Sequence, residues 1–123
     1  MIGGKHIDTR RARRKSFQPL HATRSSQAAT MTLRPGATSN ESSRNEHPWA
    51  EQWLYVVAGT GKARLGRRAI ALREGSLVLI PRRQAHVIEN TGRSNLVTIN
   101  VYVPPAYGAD GEPLRSHRSE RRR

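Results

Sequence analysis

Between residues 28 and 103 the chain is cut into short apolar runs, each closed by Gly, Pro or Asn, and this rhythm narrows the possible folds more than any other feature. The runs fall at 28–33, 53–57, 62–65, 69–72, 76–80, 85–89 and 96–103. Between them stand Pro35-Gly36, Gly59-Thr60-Gly61, Gly66-Arg67-Arg68, Pro81, Asn90-Thr91-Gly92 and Pro104-Pro105. Val, Ile, Leu, Thr and Tyr dominate the runs, and their lengths are those of strands. Gly59 and Gly66 allow tight reversals, while Pro81 ends a strand because it has no N–H to give to a ladder. No segment carries the 3.6-residue apolar period of an amphipathic helix. Many short strands joined by turns predict an all-β fold, a single small antiparallel β-barrel.

The 123 residues suffice for one ordinary core. The absence of cysteine excludes disulfides, thiolate metal sites and a cysteine nucleophile, so any metal ligands must be nitrogen or oxygen. No apolar run is long enough to span a bilayer, and the first residues lack a secretory apolar segment, so a cytoplasmic protein without membrane association is expected. The net charge of +13 is concentrated at the ends. Lys5, Arg10, Arg11, Arg13, Arg14, Lys15 and Arg24 face only Asp8 in residues 1–24, and five arginines face only Glu120 in residues 115–123. Such segments bury too little apolar surface to offset the entropy of ordering. The expected organisation is a disordered basic N-terminal tail over 1–24, a barrel over 25–114 and a disordered basic C-terminal tail over 115–123. Basic tails allow weak, non-specific nucleic-acid binding, but no helix-turn-helix pattern accompanies them.

Two stretches of the middle region carry a family resemblance. The first runs from Gly75-Ser-Leu-Val-Leu-Ile-Pro81 through Arg82-Arg83-Gln84-Ala85 to His86 and on to Asn90. It is similar to the second signature of the cupin superfamily in the spacing of Gly75, Pro81, His86 and Asn90, with Arg83 where that signature has glycine. The other, Asn45-Glu46-His47-Pro48-Trp49-Ala50-Glu51-Gln52 leading to Gly59, resembles the first cupin signature. Counting back from Gly59 puts Gln52 in the glutamate position, His47 in that of the second histidine and Asn45 in that of the first. The resemblance covers residues 27–107 and includes Asn100-Val-Tyr-Val-Pro-Pro-Ala-Tyr107, which looks like a subgroup of small bacterial cupins.

The resemblance implies a double-stranded β-helix, or jelly roll, with His47, Gln52 and His86, and Asn45 as a further possibility, around a divalent iron, manganese, nickel, copper or zinc ion. Imidazole nitrogens suit such metals, and a barrel gathers residues of different strands around one centre. Strand alternation places Gln52, Leu54 and Val56 on one face and Trp53, Tyr55 and Val57 on the other; His86 shares a face with Ile88 and Asn90. Glu51 then points away from Gln52. Trp53 and Tyr55 are carried as candidates for the pocket mouth, and Arg82 and Arg83 as a rim. Amides at 45 and 52 in place of an imidazole and a carboxylate predict a weaker, less selective centre.

Three functional classes remain open. One is a metal-dependent enzyme of oxygenase or isomerase type acting on a small molecule, with His47, Gln52 and His86 holding the metal. Another is a non-catalytic, metal-free module binding a small metabolite in the same pocket. The last is a regulator associated with nucleic acid through its basic ends. By analogy with similar proteins, a homodimer is also expected.

Overall fold

The computed structural model describes residues 4–39 and 47–114. After a single 3-10 turn at Arg11–Arg14 come eight strands: β1 (Phe17–Ala22), β2 (Gln27–Leu33), β3 (Glu51–Ala58), β4 (Gly61–Leu65), β5 (Arg68–Leu72), β6 (Leu77–Ile80), β7 (His86–Asn90) and β8 (Leu96–Val103). They form two antiparallel sheets, ordered β1-β2-β8-β3-β6 and β5-β4-β7. The sheets face one another without closing into a continuous hydrogen-bonded cylinder, so the all-β jelly roll has the form of a flattened barrel.

Alternation along each strand builds the interior. On β3, Gln52, Leu54 and Val56 are buried while Trp53 and Tyr55 are exposed, as the period of two requires. Leu54, Val56, Ile80, Ile88 and Leu96 are the heart of the main core, between the sheets. Burying side chains of this size contributes about 1.5–3 kcal/mol each. Beside this core, Ala29, Ala50, Tyr102, Ala106 and Tyr107 pack as a second cluster next to a more polar interior.

The segment assigned to a disordered N-terminal tail is corrected in part by β1. Phe17 pairs with Met31, Gln18 with Thr30 and Pro19 with Ala29, and the register then shifts before His21. Pro19 cannot donate to a ladder, which suits an edge strand with an irregularity at that point. Phe17 supplies the apolar anchor, its ring 4.6 Å from that of Tyr107. The 3-10 turn also lies against β2, where the outward Thr30 and Thr32 are buried. Residues 115–123 lie outside the described residues.

Beyond β8 the chain folds back as a strap. Gln27 Nε2 donates to the Tyr107 carbonyl at 2.7 Å, and Gln27 Oε1 accepts from the backbone N–H groups of Ala106 and Tyr107 at 3.0 and 2.9 Å. One buried amide thus satisfies three backbone groups and fixes Tyr107 over the interior.

Candidate functional site

Two turns from opposite sheets deliver the histidines. His47-Pro48-Trp49-Ala50 is a tight turn before β3, closed by the Ala50 N–H donating to the His47 carbonyl at 2.9 Å, with proline preset for its second position. Pro81 to Gln84 is the turn before β7, and Arg83 adopts φ 64° there, a left-handed conformation at the position where the resembling signature has glycine. The Arg83 N–H donates to the Pro48 carbonyl at 2.9 Å and ties the two turns together. As a result the ring centroids of His47 and His86 stand 5.0 Å apart.

Gln52 lines the same cavity from β3. Its Nε2 donates to Asn100 Oδ1 at 3.0 Å, and Asn100 Nδ2 donates to Thr98 Oγ1 at 3.1 Å. All three side chains are buried on the inner face. Because the Gln52 NH2 group is held by Asn100, its orientation is set; its buried Oε1 has no hydrogen bond of good geometry among the described residues, while the side chain stands close enough to His47 to favour the charged form of that ring. A buried acceptor left in this state costs free energy, and at a concave site it marks a place for a donor or a cation.

The protonation of the histidines follows from their surroundings. The backbone carbonyl of Gln84 can only accept, so its 2.9 Å contact with His86 Nδ1 places the proton on Nδ1 and leaves Nε2 as the basic nitrogen. The ring of His47 is packed edge-on by Tyr102 and Tyr107, at centroid separations of 5.0 and 5.9 Å. Burial pushes its pKa down from 6.5 to about 4 and the neighbouring His86 adds to the shift, while the backbone of its own turn and the Gln52 side chain oppose it. His47 is therefore a neutral imidazole at physiological pH.

The cavity has a volume of about 140 Å³. Besides His47, Gln52 and His86 its wall includes Ser16 and Phe17 from the N-terminal segment, Thr38 and Ser39 after β2, and Tyr102 and Tyr107. Among the described residues no carboxylate lines it, and no cluster of three or more His, Cys, Asp or Glu side chains occurs.

Of the residues chosen from sequence, His47, Gln52 and His86 come together, and Glu51 points elsewhere, as alternation requires. Asn45 lies outside the described residues. Trp53 and Tyr55 are corrected: they stand on the outward face of β3, 38% and 43% exposed, because the alternation that turns Gln52 inward turns them out. Phe17, Asn100, Tyr102 and Tyr107 were missed. The inward period through Leu96, Thr98, Asn100 and Tyr102 on β8 is a signal that finds two of them.

The paired antiparallel sheets, with two imidazoles and an amide converging between them, define a small jelly-roll protein with an internal polar pocket. The family model of the cupin domain matches residues 29–102, and the chain belongs to that family. No curated protein sequence matches it. A Bacillus halodurans protein of known structure is 20% identical, with a TM-score of 0.71, covering 92% of this chain and 89% of that one. An RmlC-like cupin family protein with a double-stranded β-helix fold, from Methanocaldococcus jannaschii, is 21% identical with a TM-score of 0.70, covering 85% and 93%. A structure described as a predicted oxalate decarboxylase from Thermotoga maritima is 20% identical with a TM-score of 0.64, covering 72% and 79%. At these identities the likeness is one of fold.

Proposed function

We propose that this cupin binds a small polar molecule in its internal cavity, at a divalent transition metal held by His47, Gln52 and His86. The observation that carries the reading is the buried Gln52 Oε1, held in place through Asn100, without a hydrogen bond of good geometry among the described residues and sharing the cavity with the two imidazoles. Two imidazoles that share one ion through nitrogens at about 2.1 Å have ring centroids about 5 Å apart, so the 5.0 Å separation of His47 and His86 fits. The Nδ1–H of His86 on the Gln84 carbonyl is the kind of outer contact that orients a ligating imidazole.

Such a metal supplies Lewis acidity, the basis for proposing oxygenase or isomerase chemistry. The chain's own contribution is neutral: two nitrogens and an amide oxygen leave the full charge of the ion uncompensated and favour an anionic or strongly dipolar ligand. Ser16, Thr38 and Ser39 line the same wall, and their side chains would help to orient it. A second reading, a metal-free metabolite-binding module, is favoured by the two amides, Gln52 and Asn100, hydrogen-bonded to one another on the inner face beside the imidazoles.

Elemental mass spectrometry on tag-free protein separates the two. Stoichiometric metal in the wild type, lost in a His47→Ala/His86→Ala variant of verified fold, is the expected result. Absence of metal from both proteins, even after reconstitution, would overturn the metal centre and leave the metabolite module.

A further inference from the structure

Five arginines converge on one end of the molecule, from two turns that the backbone holds together. Leu65 pairs with His86, and beyond that pair the Gly66 N–H donates to the Ala85 carbonyl at 3.0 Å. The loop between β4 and β5 therefore lies against the turn that leads into β7. Arg64, Arg67 and Arg68 come from the hairpin, Arg82 and Arg83 from the turn, and all five are exposed. None of them makes an ion pair among the described residues. Between Gln52 and Ile88 the sequence contains one carboxylate, Glu74. The pairing of Gly61 with Leu72 puts Glu74 past the opposite end of the hairpin. Glu51 stands at the arginine-bearing end but on the other sheet, beside the pair of Gln52 with Ile80, and it too makes no ion pair among the described residues. Like charges gathered without a carboxylate between them repel, and an anionic partner relieves that repulsion.

We propose that this end of the barrel binds the phosphate backbone of a double-stranded nucleic acid, without reading its sequence. All five cations are arginines, whose planar guanidinium presents paired donors to phosphate oxygens. A membrane surface holds basic segments through apolar side chains inserted beside the cations. Here the exposed large apolar side chains, Trp53, Tyr55, Leu77 and Leu79, belong to the five-stranded sheet instead. The same distribution separates duplex from single strand: unpaired bases stack on aromatic rings, and the exposed aromatic rings among the described residues are Trp53 and Tyr55, on that other sheet. The arginines of the 3-10 turn lie against β2, also on the five-stranded sheet, so this surface is separate from the basic N-terminal segment. The net charge of +13 adds long-range attraction for a polyanion, and the arginine cluster fixes where it is held.

The test is fluorescence anisotropy of a labelled duplex of mixed sequence, titrated with the full chain over a series of salt concentrations. Binding is expected that weakens steeply as salt rises and is equal for two unrelated sequences. Arg64→Gln/Arg67→Gln/Arg68→Gln/Arg82→Gln, all at exposed positions, is expected to weaken it at low salt by about a hundredfold while circular dichroism shows an unchanged fold. The slope of log affinity against log salt should fall by about 3, since each phosphate contact contributes about 0.9. Arg118→Gln/Arg121→Gln/Arg122→Gln/Arg123→Gln removes the same charge from the C-terminal segment and is expected to cost less than about tenfold. Equal losses in the two variants would show that net charge alone holds the duplex, and would overturn the proposal. So would a wild type that fails to bind at low salt, or tighter binding of a single strand of the same sequence. Displacement of the duplex by polyglutamate at equal charge concentration would overturn it as well and hand the surface to an acidic protein.

Discussion

The left-handed Arg83 illustrates how one residue can carry the cost of a turn. Side chains with a Cβ are disfavoured at φ 64° by about 1–2 kcal/mol, whereas glycine adopts this conformation freely. Glycine also loses more backbone entropy on folding, which offsets part of the gain. Arg83→Gly is therefore expected to stabilise the protein by about 0.5–1 kcal/mol, read as a higher midpoint in urea. An unchanged or lower midpoint would mean that the Arg83 side chain itself contributes to the fold. At this scale the sequence was informative where spacing along one strand or turn sufficed: Gly59, Gln52 and His47 lie within a single stretch. Asn100, which orients Gln52, lies 48 residues further along, and only the β3–β8 register brings the two together.

Among the elements, the strands from β2 to β8 were legible because Gly and Pro punctuate them and their apolar residues have strand lengths. The first strand was not. Phe17–Ala22 contains Pro19 and His21 and follows a run of arginines, so composition points to a solvated arm. What orders it is pairing with β2 and the contact of Phe17 with Tyr107, neither of which leaves a local signal. Because Phe17 also lines the cavity, Phe17→Ala is expected to destabilise the protein by about 2 kcal/mol, less than a fully buried phenylalanine would cost. Hydrogen exchange checks this directly: the amides of β1 should lose protection more than those of β8. Equal loss in both strands, or none, would show that the ring does not anchor the strand.

At the scale of the whole molecule, acid should weaken the fold largely through one buried ring. The chain has nine Asp and Glu residues, and the one ion pair found among the described residues, Asp8 with Arg10, is exposed. His47 behaves differently. Unfolded, it takes a proton near pH 6.5; folded, it resists until about pH 4. Between these values the unfolded chain binds more protons, so stability falls as pH drops through this window and is unaffected above it. The cumulative loss is about 3 kcal/mol, with most of the fall between about pH 6.5 and 4. Urea midpoints of metal-free protein across this range should show the decline, and a His47→Gln variant should flatten it. Parallel curves for the two proteins would assign the acid sensitivity elsewhere.

The bond from the Arg83 N–H to the Pro48 carbonyl bears on how such a protein can change over time. Both partners are main chain, so most side-chain replacements at either position leave the tether in place; proline at 83 is the clear exception. The span between the two imidazoles is thus inherited from the backbone, whatever happens to the groups around them. A carboxylate placed at position 52 would change the donors beside the imidazoles and still leave the same pair of nitrogens in place. Chemistry at the centre is free to drift while the frame that holds it stays fixed.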